Sequence, residues 1–371
     1  MYIIDRISKL FFAVFIIAGL SSCRGNVDYD DPYYVPEGVL RIFADKSTID
    51  ADGQDVVTFT VKFGSKDVSK EKTMKIVYTI AGKNAEMSAG ANTFSTAAPG
   101  EYVFKATLYS GGNHTSENEI KVTAAEVAGQ KSYFQKVIGE QFTSVGCTSC
   151  PSLSGNIKEV QSQLPGILVP LSFHKHFNGN DPMAIPESDI FYNMYGAHGL
   201  PYFNLNMRKR GNEVENNPSS IIKEITEEIE LFPSTCGVAI ESTYDSETRK
   251  VSVTTKITSN VSSRYRYHIF LLEDNISEMQ LGVNGDYIHD NVVRKMFAPD
   301  NKGMNINKKN PFTPGVEVTA VNSVELEKGW NPDNMRVVVI AMTTADGGVT
   351  FNCNNANECP LGGSADYILN K

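Results

Sequence analysis

The chain has little positive charge and few cysteines. Its 34 Lys and Arg stand against 43 Asp and Glu, a formal net charge of −9, and no basic cluster interrupts that balance. A general nucleic-acid binder is excluded on this ground. Six cysteines in 371 residues are too few for a disulfide-built scaffold, so burial of apolar side chains must supply most of the stability. A second Cys-x-x-Cys, which a zinc site would need beside the first, is also missing. The apolar run 10–20 is too short to span a bilayer. No Gly-rich phosphate loop, Ser-His-Asp order or paired-carboxylate motif stands out, and no cofactor is expected. The length itself allows two or three domains.

At the amino end, Arg6 and Lys9 precede the apolar run, and Ser21-Ser22-Cys23 follows it. This order reads as a secretory signal over residues 1–22. Leu20-Ser21-Ser22-Cys23 resembles a bacterial lipobox, which implies cleavage before Cys23 and lipidation of its sulfur. Acyl chains on Cys23 would make the membrane a partner, at about 0.8 kcal/mol per buried methylene. Asp28, Asp30 and Asp31 lie in a polar tether, 23–36, and resemble the surface-export signals of Bacteroidetes lipoproteins. The expected location is the outer membrane or cell surface, where a pair of thiols rests oxidised.

The stretch from Val137 to Pro151, VIGEQFTSVGCTSCP, dominates the rest. It reads as a strand, a turn at Gly146, and Cys147-Thr-Ser-Cys150 opening a helix. Free N–H groups and the dipole at a helix start favour a thiolate there, and such motifs lower a cysteine pKa to roughly 3.5–7.5. Cys147 is the candidate nucleophile and Cys150 the resolving thiol, while a structural disulfide or half of a zinc site is the other reading. Glu140 on the preceding strand is a candidate proton acceptor for Cys150, or else a surface or lysine-paired carboxylate. His174 and His176 suit copper or zinc in principle, but two histidines at a loop read more simply as solvated, and no metal is expected. His198 reads as a neighbour of Pro201 and not as an acid–base group.

Around this stretch the rhythm changes twice. Residues 37–126 alternate in the manner of strands and carry turn signals at Asp52-Gly53, Gly64-Ser65 and Pro99-Gly100; a small β-sandwich resembling bacterial immunoglobulin-like modules is expected. Residues 131–232 alternate strand and helix, with helical patterns over 151–164, 187–197 and 218–231, implying an α/β layer. Residues 234–371 return to strands and suggest a second β-sandwich, with an irregular loop over 275–310 holding a short strand at 291–296. Cys353 and Cys359 flank an Asn-rich loop and could close a local disulfide; Cys236 with either is the alternative.

The strand–helix order with Cys-x-x-Cys after the first strand resembles the thioredoxin fold. That resemblance implies a cis-proline at Pro201, facing the cysteines and shaping the groove for a partner's backbone. Gly146 departs from it, since thioredoxins carry tryptophan before the first cysteine. The wider arrangement over 131–371 resembles the Bacteroidetes outer-membrane-protein and adhesin-related lipoprotein family. It rests on Glu140-Gln-Phe-Thr143, the C-x-x-C-P run and His289-Asp-Asn-Val-Val-Arg294. The fold class expected is therefore multidomain α+β: immunoglobulin-like sandwich, central thioredoxin-like α/β domain, carboxy-terminal sandwich. The function expected is a lipid-anchored surface protein with a binding, adhesion or assembly role. The alternative is an extracytoplasmic thiol–disulfide oxidoreductase acting on protein substrates through Cys147 and Cys150.

Overall fold

Strands 57–63 and 74–80 bury every second residue, the signature of a sheet with one face against a core. They belong to the amino-terminal part of a computed structural model that describes residues 33–127, 131–208, 214–344 and 350–370. The signal segment 1–22, Cys23 and most of the tether lie outside the described residues. Two sheets make the amino-terminal module. One pairs 40–44 with 57–63; the other runs 48–50, 120–125, 100–109, 74–80, 83–86. Between them Phe59, Phe94, Tyr102 and Phe104 form a buried aromatic core. The module leans on the rest of the chain through Leu231, which packs on that core, and through Lys83 Nζ, 2.7 Å from Glu230.

Among the described residues beyond 131 there are three α-helices: α1 (Cys150–Gln163), α2 (Glu187–Tyr195) and α3 (Pro218–Leu231). Helix α3 starts on Pro218 and is capped by Asn217, whose side chain accepts from Ser220 N at 2.8 Å. The strands around these helices correct the expected fold class. There is no separate central α/β domain of thioredoxin type. Strands 202–205, 137–143 and 168–174 are one end of an eight-stranded sheet that continues through 292–296, 266–273, 335–343 and 352–360, with the short strand 304–305 paired to 266–273 as the eighth. Strands greatly outnumber helices among the described residues, and the central and carboxy-terminal segments share one sheet. Helix α2 spans the junction: Phe191 and Tyr195 share a core with Phe142 and Phe173 on one side and Phe270 and Val338 on the other.

The second sheet, 318–325, 250–259, 236–245 and 364–365, covers the opposite face of the shared sheet's far half. Val251, Val253 and Ile257 meet Ile269, Val337 and Val339 there. Pro170 stands inside a strand without penalty. Ser172 N donates to Asn291 O at 2.8 Å, so the nitrogen of Pro170, two residues earlier, points to the same side. There the neighbouring strand has not yet begun to pair, and no ladder bond is lost.

The Asn-rich stretch around Cys353 corrects a second expectation, since it is a nine-residue strand (Asn352–Pro360) and not a loop. Its carboxamides bind backbone that no ladder reaches. Asn355 accepts from Lys136 N at 3.0 Å and donates to Cys236 O at 2.8 Å. Asn357 donates to Val238 O at 2.9 Å. A register shift opposite Ala341/Met342 turns Cys353 and Cys359 to opposite faces of the sheet, one into each core. No disulfide joins them: Cys236, Cys353 and Cys359 are all buried free thiols, and burial raises the pKa of each, which makes them inert.

Candidate thiol–disulfide site

Strand 137–143 ends in a tightly bonded turn. Val145 N donates to Asp181 Oδ2 at 2.9 Å, Cys147 N to Ser144 O at 3.1 Å, and Asn178 Nδ2 to Gly146 O at 3.3 Å. A Cβ on Gly146 would collide with the backbone carbonyl of Phe177, so no tryptophan, or any other side chain, fits before Cys147. The turn delivers Cys147 to Cys150, and their sulfurs are bonded across a Cα–Cα distance of 5.5 Å. Helix α1 begins at Cys150 with Pro151 in its first turn, and Ser149 makes no side-chain cap. The couple thus sits at the positive end of the helix dipole, while Pro151 has no N–H and Ser152 N donates to Ser149 O at 3.3 Å. Cys147 is 3% and Cys150 1% exposed, so an incoming partner must first displace something.

That cover is a hairpin, Ile276–Glu278 paired with Tyr287–His289, in the stretch expected to be an irregular loop. Its tip docks on the cysteine turn. Leu281 N donates to Val145 O at 2.8 Å, and Gln280 Nε2 lies within hydrogen-bond reach of three carbonyls of the cysteine turn and of Leu281 O, Cys147 O at 2.8 Å being the closest. Gly282, at φ +87°, presses on Thr148, where a Cβ would stand 3.0 Å from its carbonyl oxygen. Met279, Leu281 and Ile288 of this hairpin and the nearby Phe177 expose apolar side chains to solvent. The signal was present in the sequence as Ile276-Ser-Glu and Tyr287-Ile-His on either side of Gly282 and Gly285.

Beneath hairpin and helix lies a buried polar cluster. His174, expected to be solvated, is 1% exposed; its Nδ1 lies 2.9 Å from Asp181 Oδ2. Burial alone would raise the Asp181 carboxyl. The His174 hydrogen bond and charge, with the amides of Val145 and Met183, hold it below the usual range. His289 meets His174 edge to face at 5.2 Å; burial, then the charge of His174, pushes its pKa down to about 4. His176 Nδ1 accepts from Asp181 N at 3.1 Å. Among the described residues no group of three or more His, Cys, Asp or Glu is arranged to hold a metal ion.

The remaining candidates fall in two places. The Leu200–Pro201 peptide is cis, and the antiparallel pairing of Tyr202 with Phe142 brings Pro201 to the sheet end from which the cysteine turn leaves. Glu140 lies on the other face of the sheet. Its neighbour Gln141 bonds Ser154 of α1 at 2.8 Å, while the Glu140 carboxyl accepts from Met207 N at 2.7 Å, Asn204 Nδ2 at 3.2 Å and Tyr195 Oη of α2 at 3.3 Å. The structure thus groups Cys147, Cys150 and Pro201 at one sheet end and sets Glu140 in the layer beneath α2.

Residues 188–355 match the family model of the outer membrane protein Omp28. No curated protein matches the chain. Among solved structures, HBP35 of Porphyromonas gingivalis is similar in fold, with a TM-score of 0.54 at 17% identity over 62% of this chain and 76% of that one. Protein AGR_C_4864 from Agrobacterium tumefaciens aligns at 17% identity over 63% of this chain and 96% of its own, with a TM-score of 0.41. The HBP35 likeness is one of fold. The Omp28 match supports an outer-membrane-related kinship for the part it covers, and with it a location at the outer membrane or cell surface.

Proposed function

We propose that this surface protein carries out thiol–disulfide exchange at Cys147 and Cys150, and that Cys23 carries the lipid that holds it on the membrane. The observation that carries the exchange reading is the sulfur couple closed at the uncapped start of α1, on the sheet end that also presents Pro201. A buried staple needs no helix dipole; a leaving thiolate does. In the exchange a partner thiolate attacks Cys147 Sγ, the Cys147–Cys150 bond breaks, and Cys150 leaves as a thiolate that takes up a proton. A second partner thiolate then displaces Cys147, so the partner dithiol loses two electrons and this couple gains them. The reverse sequence reduces a partner disulfide. Exposed apolar side chains beside the couple, Phe177 and Leu281 among them, suit a polypeptide partner more than a small charged thiol.

A second reading, adhesion or assembly with a purely structural disulfide, is favoured by the burial of both sulfurs beneath the hairpin. The two separate by trapping. Cys150→Ala, which cannot resolve a mixed disulfide, is expected to accumulate covalent protein adducts that reductant releases and that Cys147→Ser lacks. Equal, empty profiles for both variants contradict exchange.

A further inference from the structure

We infer that the uncovered edge of strand 318–325 joins two copies of this chain side by side in a symmetric dimer. The inference does not depend on the exchange reading. This strand, Val318–Glu325, ends the second sheet. It pairs along its whole length with 250–259 on one side and with no strand on the other. Leu326 N donates to Arg249 O, one step beyond the pairing of Glu325 with Lys250. In an antiparallel ladder such bonds recur at every second residue, so the amides of Val318, Ala320, Asn322 and Val324 face strand 250–259. Those of Thr319, Val321, Ser323 and Glu325 point away from the sheet, and no backbone bond from a described residue reaches them.

Proteins ordinarily blunt such an edge with lysine, proline or a covering segment. The edge strand 40–44 is covered by Asn118, which bonds Ile42 N at 3.0 Å and Ile42 O at 2.7 Å. The edge strand 352–360 is covered by the segments its carboxamides bind. Strand 318–325 contains neither lysine nor proline. Its solvent face instead carries Val321, which at 67% is the most exposed large apolar side chain among the described residues. Its core-facing Val318, Ala320 and Val324 are only partly buried, whereas Val251, Val253 and Ile257 on the neighbouring strand are wholly buried.

The strand is complementary to a second copy of itself. A two-fold axis at Asn322 sets Thr319 against Glu325 of the copy and Val321 against Ser323 of the copy, each reciprocally. All the outward amides then find carbonyls, and no like charges meet within the paired strands. On the solvent face Glu325 lies between Lys250 of its own sheet and Thr319 of the copy, whose own neighbour is Lys256. On the core face Ala320 meets Val324 of the copy. A second copy also brings a strand that is already extended, which avoids the ordering cost of a loose peptide and favours it as the occupant.

Sedimentation velocity on the purified full chain tests this. The apparent mass is expected to double as the chain is concentrated, and deuterium exchange at the Val321 amide to slow at least about tenfold in the dimer. Val321→Pro removes an amide that makes no ladder bond within one copy. It is expected to leave the melting temperature of the dilute chain nearly unchanged and to weaken association at least about tenfold, since symmetry removes the bond twice. Val321→Lys sets two lysines diagonally across the axis and is expected to weaken it to a similar extent. A chain that stays monomeric at every concentration overturns the inference. So does a dimer that survives both substitutions, or an assembly that grows beyond two copies, because two-fold pairing uses up the edge. None of these results bears on the exchange reading.

Discussion

Two single residues show how closely side-chain identity is tied to the site. At Gly146 the carbonyl of Phe177 occupies the space of a side chain. Gly146→Ala is therefore expected to cost about 1–3 kcal/mol, the usual range for overpacking, readable as a drop in denaturant midpoint at unchanged slope. At Glu140, burial pushes the carboxyl up to about 7 despite bonds from Met207, Asn204 and Tyr195. The folded chain then holds a proton there that the unfolded chain, near 4.5, has lost. The resulting stability is fully present below that unfolded value and is lost as pH rises through about 7. At about 1.4 kcal/mol per pKa unit this amounts to about 3 kcal/mol. Glu140→Gln should flatten the fall in melting temperature across that window; an unchanged slope would show that another group sets it.

Among elements, the hairpin 276–289 is the part whose movement the proposed chemistry requires. Its tip rests on a few polar contacts, chiefly those of Gln280 and Leu281 N, and few apolar ones, which marks it as a low-stability unit. Gly282 combines a left-handed backbone with close approach to Thr148. Gly282→Ala should loosen the tip by about 1–2 kcal/mol, the cost of a side chain at such a φ, and speed reduction of the Cys147–Cys150 bond by dithiothreitol roughly 10-fold. Unaltered reduction kinetics would mean that the hairpin does not gate the couple. Local signals made several elements legible: proline after Cys150, apolar residues at helical spacing in α1, and the helical pattern from Pro218 to Leu231. The strand 352–360 was not legible, because asparagine is depleted in strands and the reason for it here, binding backbone of segments more than a hundred residues away, leaves no local mark. The cluster of His174, Asp181 and His289 was hidden in the same way, its members meeting only in the folded chain.

For the whole molecule, the decisive feature is the shared sheet. Alternating strands and helices made the segment around the cysteines look like a domain of its own, since each of its contacts with strands 266–273 and 335–343 is distant in sequence. In the fold, strand 292–296 bridges the two halves and α2 packs across them, while the hairpin that follows strand 266–273 returns to cover the disulfide. The carboxy-terminal region thus supplies cover to a couple carried by the central region, at the outer membrane or cell surface that the Omp28 match supports. The most direct measurement is the reduction potential of the Cys147–Cys150 couple in the full chain, equilibrated against a glutathione series. The account predicts a value between about −120 and −270 mV, the range of exchange proteins. A value below about −300 mV, that of an inert structural bond, would contradict it.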